Sequence, residues 1–330
     1  MQLIRTSERS CFKRCPQQHH WRWRENLVPL SYSTGPLWLG TGGHLALAGW
    51  YIPGKVRGVD PRETWDAYAK DSFSTMKYEK TLDDEIEEDF ISVQTLIHDL
   101  LTAYLNEYGK DEHIEVLDVE HPFQVVIPGT VPVKLLGTID LIVRNHAEND
   151  RVELWDHKFL KSIQTDHLEI DDQNGGYLTV GTHILREAGL IGNKEVVRGL
   201  IYNFLRKAKF DDRPKNSIGQ YLNKDGTVSQ RQGSPLFERY WIAKTAAERN
   251  QQIKRIAEEA KIIRLMDKGK IPLFKSPRYT CKWDCDYFDL CKIDEAGGDT
   301  EEFKGNVYKK ADPYADHRDE AVNSKLIIPK

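Results

Sequence analysis

Asp140, Asp156 and Lys158 are the residues of this sequence best equipped for chemistry. They stand in Gly137-Thr138-Ile139-Asp140 and Asp156-His157-Lys158, sixteen residues apart from aspartate to aspartate. Each motif lies in a short apolar run, 133–143 and 152–160, of the kind that forms a buried strand. Side chains alternate along a strand, so Asp156 and Lys158 share a face with Leu154. A carboxylate and an ammonium on a buried sheet face cost several kcal/mol unless each is paired or holds a metal. Two arrangements meet that demand. One is a structural Asp–Lys ion pair between neighbouring strands. The other is a metal site in which Asp140 and Asp156 supply oxygens and Lys158 stands beside an attacking water.

Two further segments offer partners for such a site. Gly42-Gly43-His44-Leu45-Ala46-Leu47 opens a helix-compatible stretch with His44 near its start. Downstream, Asp172-Gln173-Asn174-Gly175-Gly176-Tyr177 sets Gln173 and Tyr177 four residues apart, on one face of a helix. The order Gly-x-His, Gly-x-Ile-Asp, Asp-x-Lys, Gln-x-x-x-Tyr resembles the nuclease core of the PD-(D/E)XK superfamily. Within it, the chain is most similar to RecB-type exonucleases and to the CRISPR-associated and phage relatives that carry an iron–sulfur cluster. The resemblance runs from about Arg5 to Lys292 and leaves the last 38 residues uncovered.

That resemblance implies an α/β fold: a restriction-endonuclease-like core whose central mixed β-sheet is flanked by helices. It implies a metal-dependent DNA exonuclease acting on single strands or duplex ends in phage or bacterial recombination, repair or processing. His44, Asp140 and Asp156 would ligate Mg2+ or Mn2+, joined by the backbone carbonyl of His157. Lys158 would orient the nucleophilic water, and Gln173 and Tyr177 would position the substrate strand. Glu120, in Val119-Glu120-His121-Pro122-Phe123, matches a Glu-x-x-Phe that often precedes the Gly-x-Ile-Asp strand. A single glutamate on a strand reads as part of a solvated face, so Glu120 stays outside the expected ligand set. A non-catalytic DNA-binding or assembly subunit of the same fold would be expected to lose a ligand or the lysine, and all are present. A site-specific endonuclease of the same superfamily is the other alternative.

The residue types suit phosphodiester hydrolysis. Water must reach a phosphorus ringed by negative oxygens, and divalent metals neutralise that charge while lowering the pKa of a bound water. Carboxylate oxygens suit magnesium or manganese, and one imidazole tilts the preference toward manganese. A lysine cation beside the metal stabilises the charge that grows in the transition state. No Gly-x-Ser-x-Gly elbow competes for the chemistry.

The cysteines form a second pattern. There are five, Cys11, Cys15, Cys281, Cys285 and Cys291, with none in the 265 residues between Cys15 and Cys281. The start Met-Gln-Leu-Ile-Arg-Thr is too polar for a signal peptide, so a cytoplasmic setting in a bacterial cell or phage-infected host is expected, where clustered thiols suggest metal use. Cys281-x3-Cys285-x5-Cys291 sits among Tyr279, Trp283, Tyr287 and Phe288 and not in a helix-periodic apolar stripe. Inert buried thiols are the alternative. Residues 7–23, with Phe12 ahead of Cys15-Pro16, resemble the N-terminal Ser-x-x-x-x-Phe-x-x-Cys-Pro signature of the cluster-bearing exonucleases. The resemblance thus implies a 4Fe-4S cluster on Cys15, Cys281, Cys285 and Cys291, with Cys11 outside it. The usual C-terminal spacing is Cys-x2-Cys-x5-Cys, and this chain has one more residue in the first gap. Structural Zn2+ is the competing occupant, since four thiolates also build a tetrahedral site.

A net charge of −4 on 330 residues means that DNA is not drawn by overall charge, so contacts must come from local basic patches. Two segments interleave bases and aromatics: 14–24, which reads best as a helix burying its tryptophans, and 206–215, a loop beside a strand. No Gly-x-x-x-x-Gly-Lys-Ser/Thr is present, so a separate helicase or recombination protein would supply any unwinding. No apolar run is long enough for a membrane.

These elements divide the chain into a helical region with Cys15 and His44 (1–110), a nuclease core (111–243), a helix and cysteine loop (244–292) and a polar tail (293–330). A helix is expected over 6–25, a Pro/Ser/Gly-rich connection to 43, and helices from 44, 61 and 81, the last reaching 108. Strands follow at 113–127, 133–144 and 152–161, then the Gln173 helix, then strands at 196–205 and 237–242. Thr245-x-x-Glu248 is a capping box opening a helix to 267. The tail is expected to be loosely ordered or docked through its end near Leu326.

Overall fold

A computed structural model describes residues 1–30, 35–78, 84–129, 133–209 and 211–315. The chain begins with β1 (Gln2–Arg5), α1 (Thr6–Arg14), α2 (Pro16–His19) and β2 (Leu27–Pro29). Three long helices follow: α3 (Pro36–Trp50), α4 (Pro61–Tyr78) and α5 (Asp84–Tyr108). Next come β3 (Ile114–Ile127), β4 (Val133–Asn145), β5 (Arg151–Leu160), α6 (Asp172–Glu187), β6 (Val197–Arg206), β7 (Phe237–Ile242) and α7 (Ala246–Asp267). The chain continues through α8 (Cys281–Asp284), α9 (Phe288–Glu295), α10 (Thr300–Val307) and β8 (Tyr308–Lys310).

Six strands make one mixed sheet, ordered β1-β4-β5-β6-β7 with β3 on the other edge of β4. β3–β4, β4–β5 and β6–β7 are antiparallel, while β1–β4 and β5–β6 are parallel. One face is covered by the apolar sides of α1, α6 and α7, where Phe12, Leu178, Val180, Ile256 and Ile263 meet Ile4, Leu135 and Leu154. The other is covered by α3, α4 and α5, where Leu47, Trp65, Ile97 and Leu101 meet Leu141, Val143 and Trp155. β5 shows the logic plainly. Leu154 belongs to the first cluster and Trp155 to the second, as the period of two demands. The fold is the α/β, restriction-endonuclease-like architecture with a helix-flanked mixed sheet.

The sheet forks at one place, and that place matters most. One edge of β4 pairs with β1 over 133–136 and with β5 over 141–145, leaving 137–140 unpaired between them. The Gly-Thr-Ile-Asp motif occupies that opening.

Three local expectations are corrected. The helix expected over 6–25 is broken at Cys15, whose backbone is extended (φ −159°, ψ 112°) because the residue before a proline avoids the α region. Past the break, residues 20–24 close a π-helical turn that buries Trp21 and Trp23. α3 starts at Pro36, so His44 lies in mid-helix and not near a helix start. Its glycines obscure the helix in sequence, yet a Cβ at Gly43 would collide with the Phe159 ring of β5. Finally, residues 300–310 are not loosely ordered. Asp299 caps α10 through the Glu301 and Glu302 amides, and β8 pairs with β2. The Tyr314 hydroxyl donates to Glu8 Oε2 at 2.6 Å. The end near Leu326 lies outside the described residues.

Candidate active site

Strand register assembles the carboxylates. The β4–β5 pairing Leu141↔Trp155 ends where one more step would set Asp140 against Asp156. On the other side, Val119↔Leu141 and His121↔Ile139 set Glu120 opposite Asp140. Three acidic residues thus lie in line across β3, β4 and β5. Instead of a ladder bond, the His157 amide donates to Asp140 Oδ2 at 2.7 Å.

Helices complete the site from both faces. From α3, His44 Nδ1 reaches Asp140 Oδ2 at 3.3 Å and Glu120 Oε1 at 3.8 Å. Ligand atoms of His44, Glu120 and Asp140 all lie within 4.8 Å of one another, the one such group of three or more His, Cys, Asp or Glu residues among the described residues. From α6, the Gln173 amide donates to Asp156 Oδ1 at 2.7 Å, and the Tyr177 hydroxyl donates to the Thr138 carbonyl at 2.8 Å. Lys158 Nζ stands 2.5 Å from Asp156 Oδ2. α6 is aimed by its cap: Asp171 accepts from the Gln173 and Asn174 amides and from the Tyr202 hydroxyl. Gly137 is required by this closeness, since a Cβ there would sit 2.7 Å from Phe123 Cζ and 3.3 Å from Tyr177 Cε1.

Electrostatically, the cluster favours a bound cation. Burial raises Asp156 to about 6, against the pull of Lys158, and Asp140 adds to the rise. Burial likewise raises Asp140, opposed by His44 and Lys158. Burial disfavours a charged His44, but Glu120, Asp140 and Asp156 outweigh it and lift the imidazole to about 9. For Lys158 the same contest ends with the carboxylates raising it. The carboxylates are pushed up by burial, and the two bases are held charged by the carboxylates around them. Two carboxylates and one imidazole fit a divalent metal of the magnesium–manganese class.

Glu120 is the residue the sequence reading passed over. Its backbone is left-handed (φ 48°), a conformation that costs a non-glycine residue about 1–2 kcal/mol. The amino-acid type alone could not distinguish it from a solvated strand residue; only the register against Asp140 does. The His157 ring points to the opposite face of β5 from Asp156 and lies edge-on to the His44 ring, centroids 6.1 Å apart. It stacks on Tyr51 with centroids 6.0 Å apart, and its Nδ1 accepts from Asn203 at 2.9 Å. Burial drives this imidazole well below its usual pKa, so it is neutral.

That ring opens a buried network under β5. Asn203 also donates to the Tyr104 hydroxyl, and Tyr51 donates to Asp111 Oδ2. Arg239 closes it with paired 2.7 Å bonds to both Asp111 oxygens. Asp111 is buried, at 4% exposure. Arg239→Ala should therefore lower unfolding free energy by about 3 kcal/mol, because a buried charge loses its partner. Urea denaturation measures this, and a loss below about 1 kcal/mol would count against the network.

The cysteines gather at a separate place. Cys15, Cys281, Cys285 and Cys291 line one cavity of about 460 Å3 together with Trp21, Phe288 and Lys275. The extended Cys15 turns toward the loop, where the Ser276 amide donates to its Sγ at 3.4 Å and the Gln17 amide donates to the Phe274 carbonyl. Cys11 does not line this cavity. Of the basic segments, 14–24 is largely structural, with Arg24 paired to Asp267 and Glu8. In 206–215, Arg213 pairs with Asp211, and Arg213 and Lys215 sit over Tyr221; Phe210 lies outside the described residues. Among the described residues, no helix is long and apolar enough to cross a membrane.

Comparison with known proteins agrees with the geometry. The family model of the PD-(D/E)XK nuclease superfamily matches residues 6–292. No curated protein matches the sequence. Solved structures align loosely. A Eubacterium rectale protein named as a presumed exonuclease aligns over 86% of this chain and 94% of its own, at 11% identity and a TM-score of 0.39. The structure of SSO0001 aligns over 88% of this chain and 85% of its own, at 15% identity and a TM-score of 0.32. With the family match spanning most of its length, this chain belongs to the PD-(D/E)XK nuclease superfamily.

Proposed function

We propose that the protein is a metal-dependent DNA exonuclease of RecB type, stapled by an iron–sulfur cluster. The observation that carries the catalytic part is the meeting of His44, Glu120 and Asp140 with the Asp156–Lys158 pair in the fork of the sheet. His44, Asp140, Asp156 and the His157 carbonyl would hold Mg2+ or Mn2+, with Glu120 added to the set on geometry. The bound metal supplies charge neutralisation and an acidified water. Gln173 fixes the orientation of Asp156, and Lys158 holds a positive charge against the phosphate oxygens as they gain charge. Tyr177, anchored to the Thr138 carbonyl, fixes the wall of the cleft along which the strand would run. Unwinding would be left to a separate helicase or recombination protein.

The cysteine cavity brings together Cys15, Cys281, Cys285 and Cys291, the four-thiolate donor set that a 4Fe-4S cluster takes and that structural Zn2+ takes as the alternative.

Purified protein with end-labelled single- and double-stranded DNA tests the activity. Cleavage should progress from an end, require divalent metal and stop with EDTA; internal cutting, or cleavage that persists in EDTA, would reject the reading. Manganese should support a faster rate than magnesium, and His44→Ala should lower the rate while narrowing that ratio. An unchanged ratio would remove His44 from the ligand set. Glu120→Gln should weaken metal affinity, read as a higher manganese concentration at half-maximal rate.

A further inference from the structure

We propose that Tyr279 and Trp283, on the cysteine loop, form a stacking platform for single-stranded DNA. The inference rests on DNA being the substrate and adds a contact surface outside the site in the sheet fork. The two rings are 86% and 69% exposed, although they are among the largest apolar side chains in the molecule. They touch each other edge-on, with centroids 5.7 Å apart at 64°. An edge-on pair leaves ring faces open to a planar partner.

Their exposure is not a by-product of local packing. The same segment buries Tyr287 to 1%, donates its hydroxyl to the Leu27 carbonyl, and completes a small core with Trp21, Leu290 and Tyr308. Tyr279 and Trp283 take no part in that core. The backbone beneath them is nonetheless fixed. The Trp283 and Asp284 amides both donate to the Thr280 carbonyl, and the Arg278 amide donates to Cys281 Sγ at 3.2 Å. Rings on a fixed backbone lose little freedom when a base stacks on them.

The charge around the pair suits a phosphate backbone. Arg278 and Lys282 stand next to the two rings in sequence, are exposed, and have no carboxylate within ion-pair distance among the described residues. Arg14 neutralises Asp284 at 3.1 Å, and Lys275 is engaged by Asp294 and Glu295. On a chain of net charge −4, local cations interleaved with aromatic faces are what single strands recognise: bases stack and phosphates meet the cations. Away from its ends a duplex keeps its bases stacked inside and offers the rings no open face.

The test is equilibrium binding of a fluorescein-labelled oligothymidine to the full chain in EDTA, where no cleavage intervenes. Tyr279→Ala with Trp283→Ala should weaken binding by about tenfold or more. Tyr279→Phe with Trp283→Phe should retain most of it, and a covalently closed circular duplex should bind both variants like wild type. Both positions are exposed, so thermal melts of the variants should match wild type. Unchanged oligothymidine affinity in the alanine variant would overturn the proposal, and so would an equal loss for the duplex. If instead the rings are needed only for retaining another protein, oligothymidine binding will be unchanged and the proposal fails. Ring-dependent binding by a wild type that does not cleave would reject the nuclease reading and leave the platform standing. End-directed cleavage with ring-independent binding would do the reverse.

Discussion

Lys158→Ala should reduce DNA cleavage by about 100- to 1000-fold, the range expected when a positioned donor to transition-state charge is removed. In the proposed reaction the side chain acts through its place, 2.5 Å from Asp156 at the fork of the sheet. Its loss has a second effect. Asp156 is fully buried and already raised to about 6 with the lysine present, so without it the carboxyl is raised further, toward its neutral form. Protonation avoids a stranded charge, and Gln173 still holds Oδ1, so the fold should survive with a modest loss of stability. The expected pattern is a collapse of kcat, a retained circular dichroism spectrum and a melting temperature within a few degrees. Asp140→Asn should abolish cleavage by a different route, through lost metal affinity. Wild-type-like cleavage by either variant would remove the fork from the chemistry.

Substituting Cys281, Cys285, Cys291 or Cys15 by alanine should remove iron and colour and lower the melting temperature by about 10 °C. Protein purified without oxygen should be brown and contain iron and acid-labile sulfide. The size of the effect follows from connectivity. These thiols join the break after α1 to a loop more than 260 residues later, and a clip across so long a loop restricts the unfolded chain strongly. Cys11→Ala should change little, because Cys11 lies on α1 outside the cavity the other four line. A colourless anaerobic preparation with one zinc per chain would replace the cluster with a structural ion. An essential Cys11 beside a dispensable Cys15 would keep the staple and overturn the ligand choice.

Local signals made much of this molecule readable beforehand. β3, β4 and β5 stand where runs of apolar and β-branched residues end at polar turns, and α7 opens on the Thr245–Glu248 box seen in the structure. Gln173 and Tyr177 fall on one face of α6 because four residues make about one helical turn. What escaped depends on partners distant in sequence. Glu120 gains its place from a register set by the whole β3–β4 pairing. β1 is only four residues long and exists because β4 offers it an edge. α3 hides behind glycines, of which Gly43 makes room for the Phe159 ring more than a hundred residues away and Gly42 for Trp65 and Tyr68. The Arg239–Asp111 pair joins a strand to a turn 128 positions apart, a distance no periodicity can bridge.

The pairing of β2 with β8 carries a consequence for how the molecule is made. Leu27–Pro29 and Tyr308–Lys310 are about 280 residues apart, so on a ribosome adding ~5–20 residues per second the first waits roughly 15–60 seconds for the second. Throughout that interval Trp21 and Leu27 lack Tyr287, Leu290 and Tyr308, against which they are buried in the finished chain. Meanwhile the sheet from β3 to β6, built from neighbours in sequence, can already close. Synthesis therefore presents a nearly complete core with a sticky, unfinished leading segment. Slow or truncated translation should favour aggregation through that segment, and a chaperone that shields aromatic residues near the amino terminus should raise soluble yield more than one acting on the late chain.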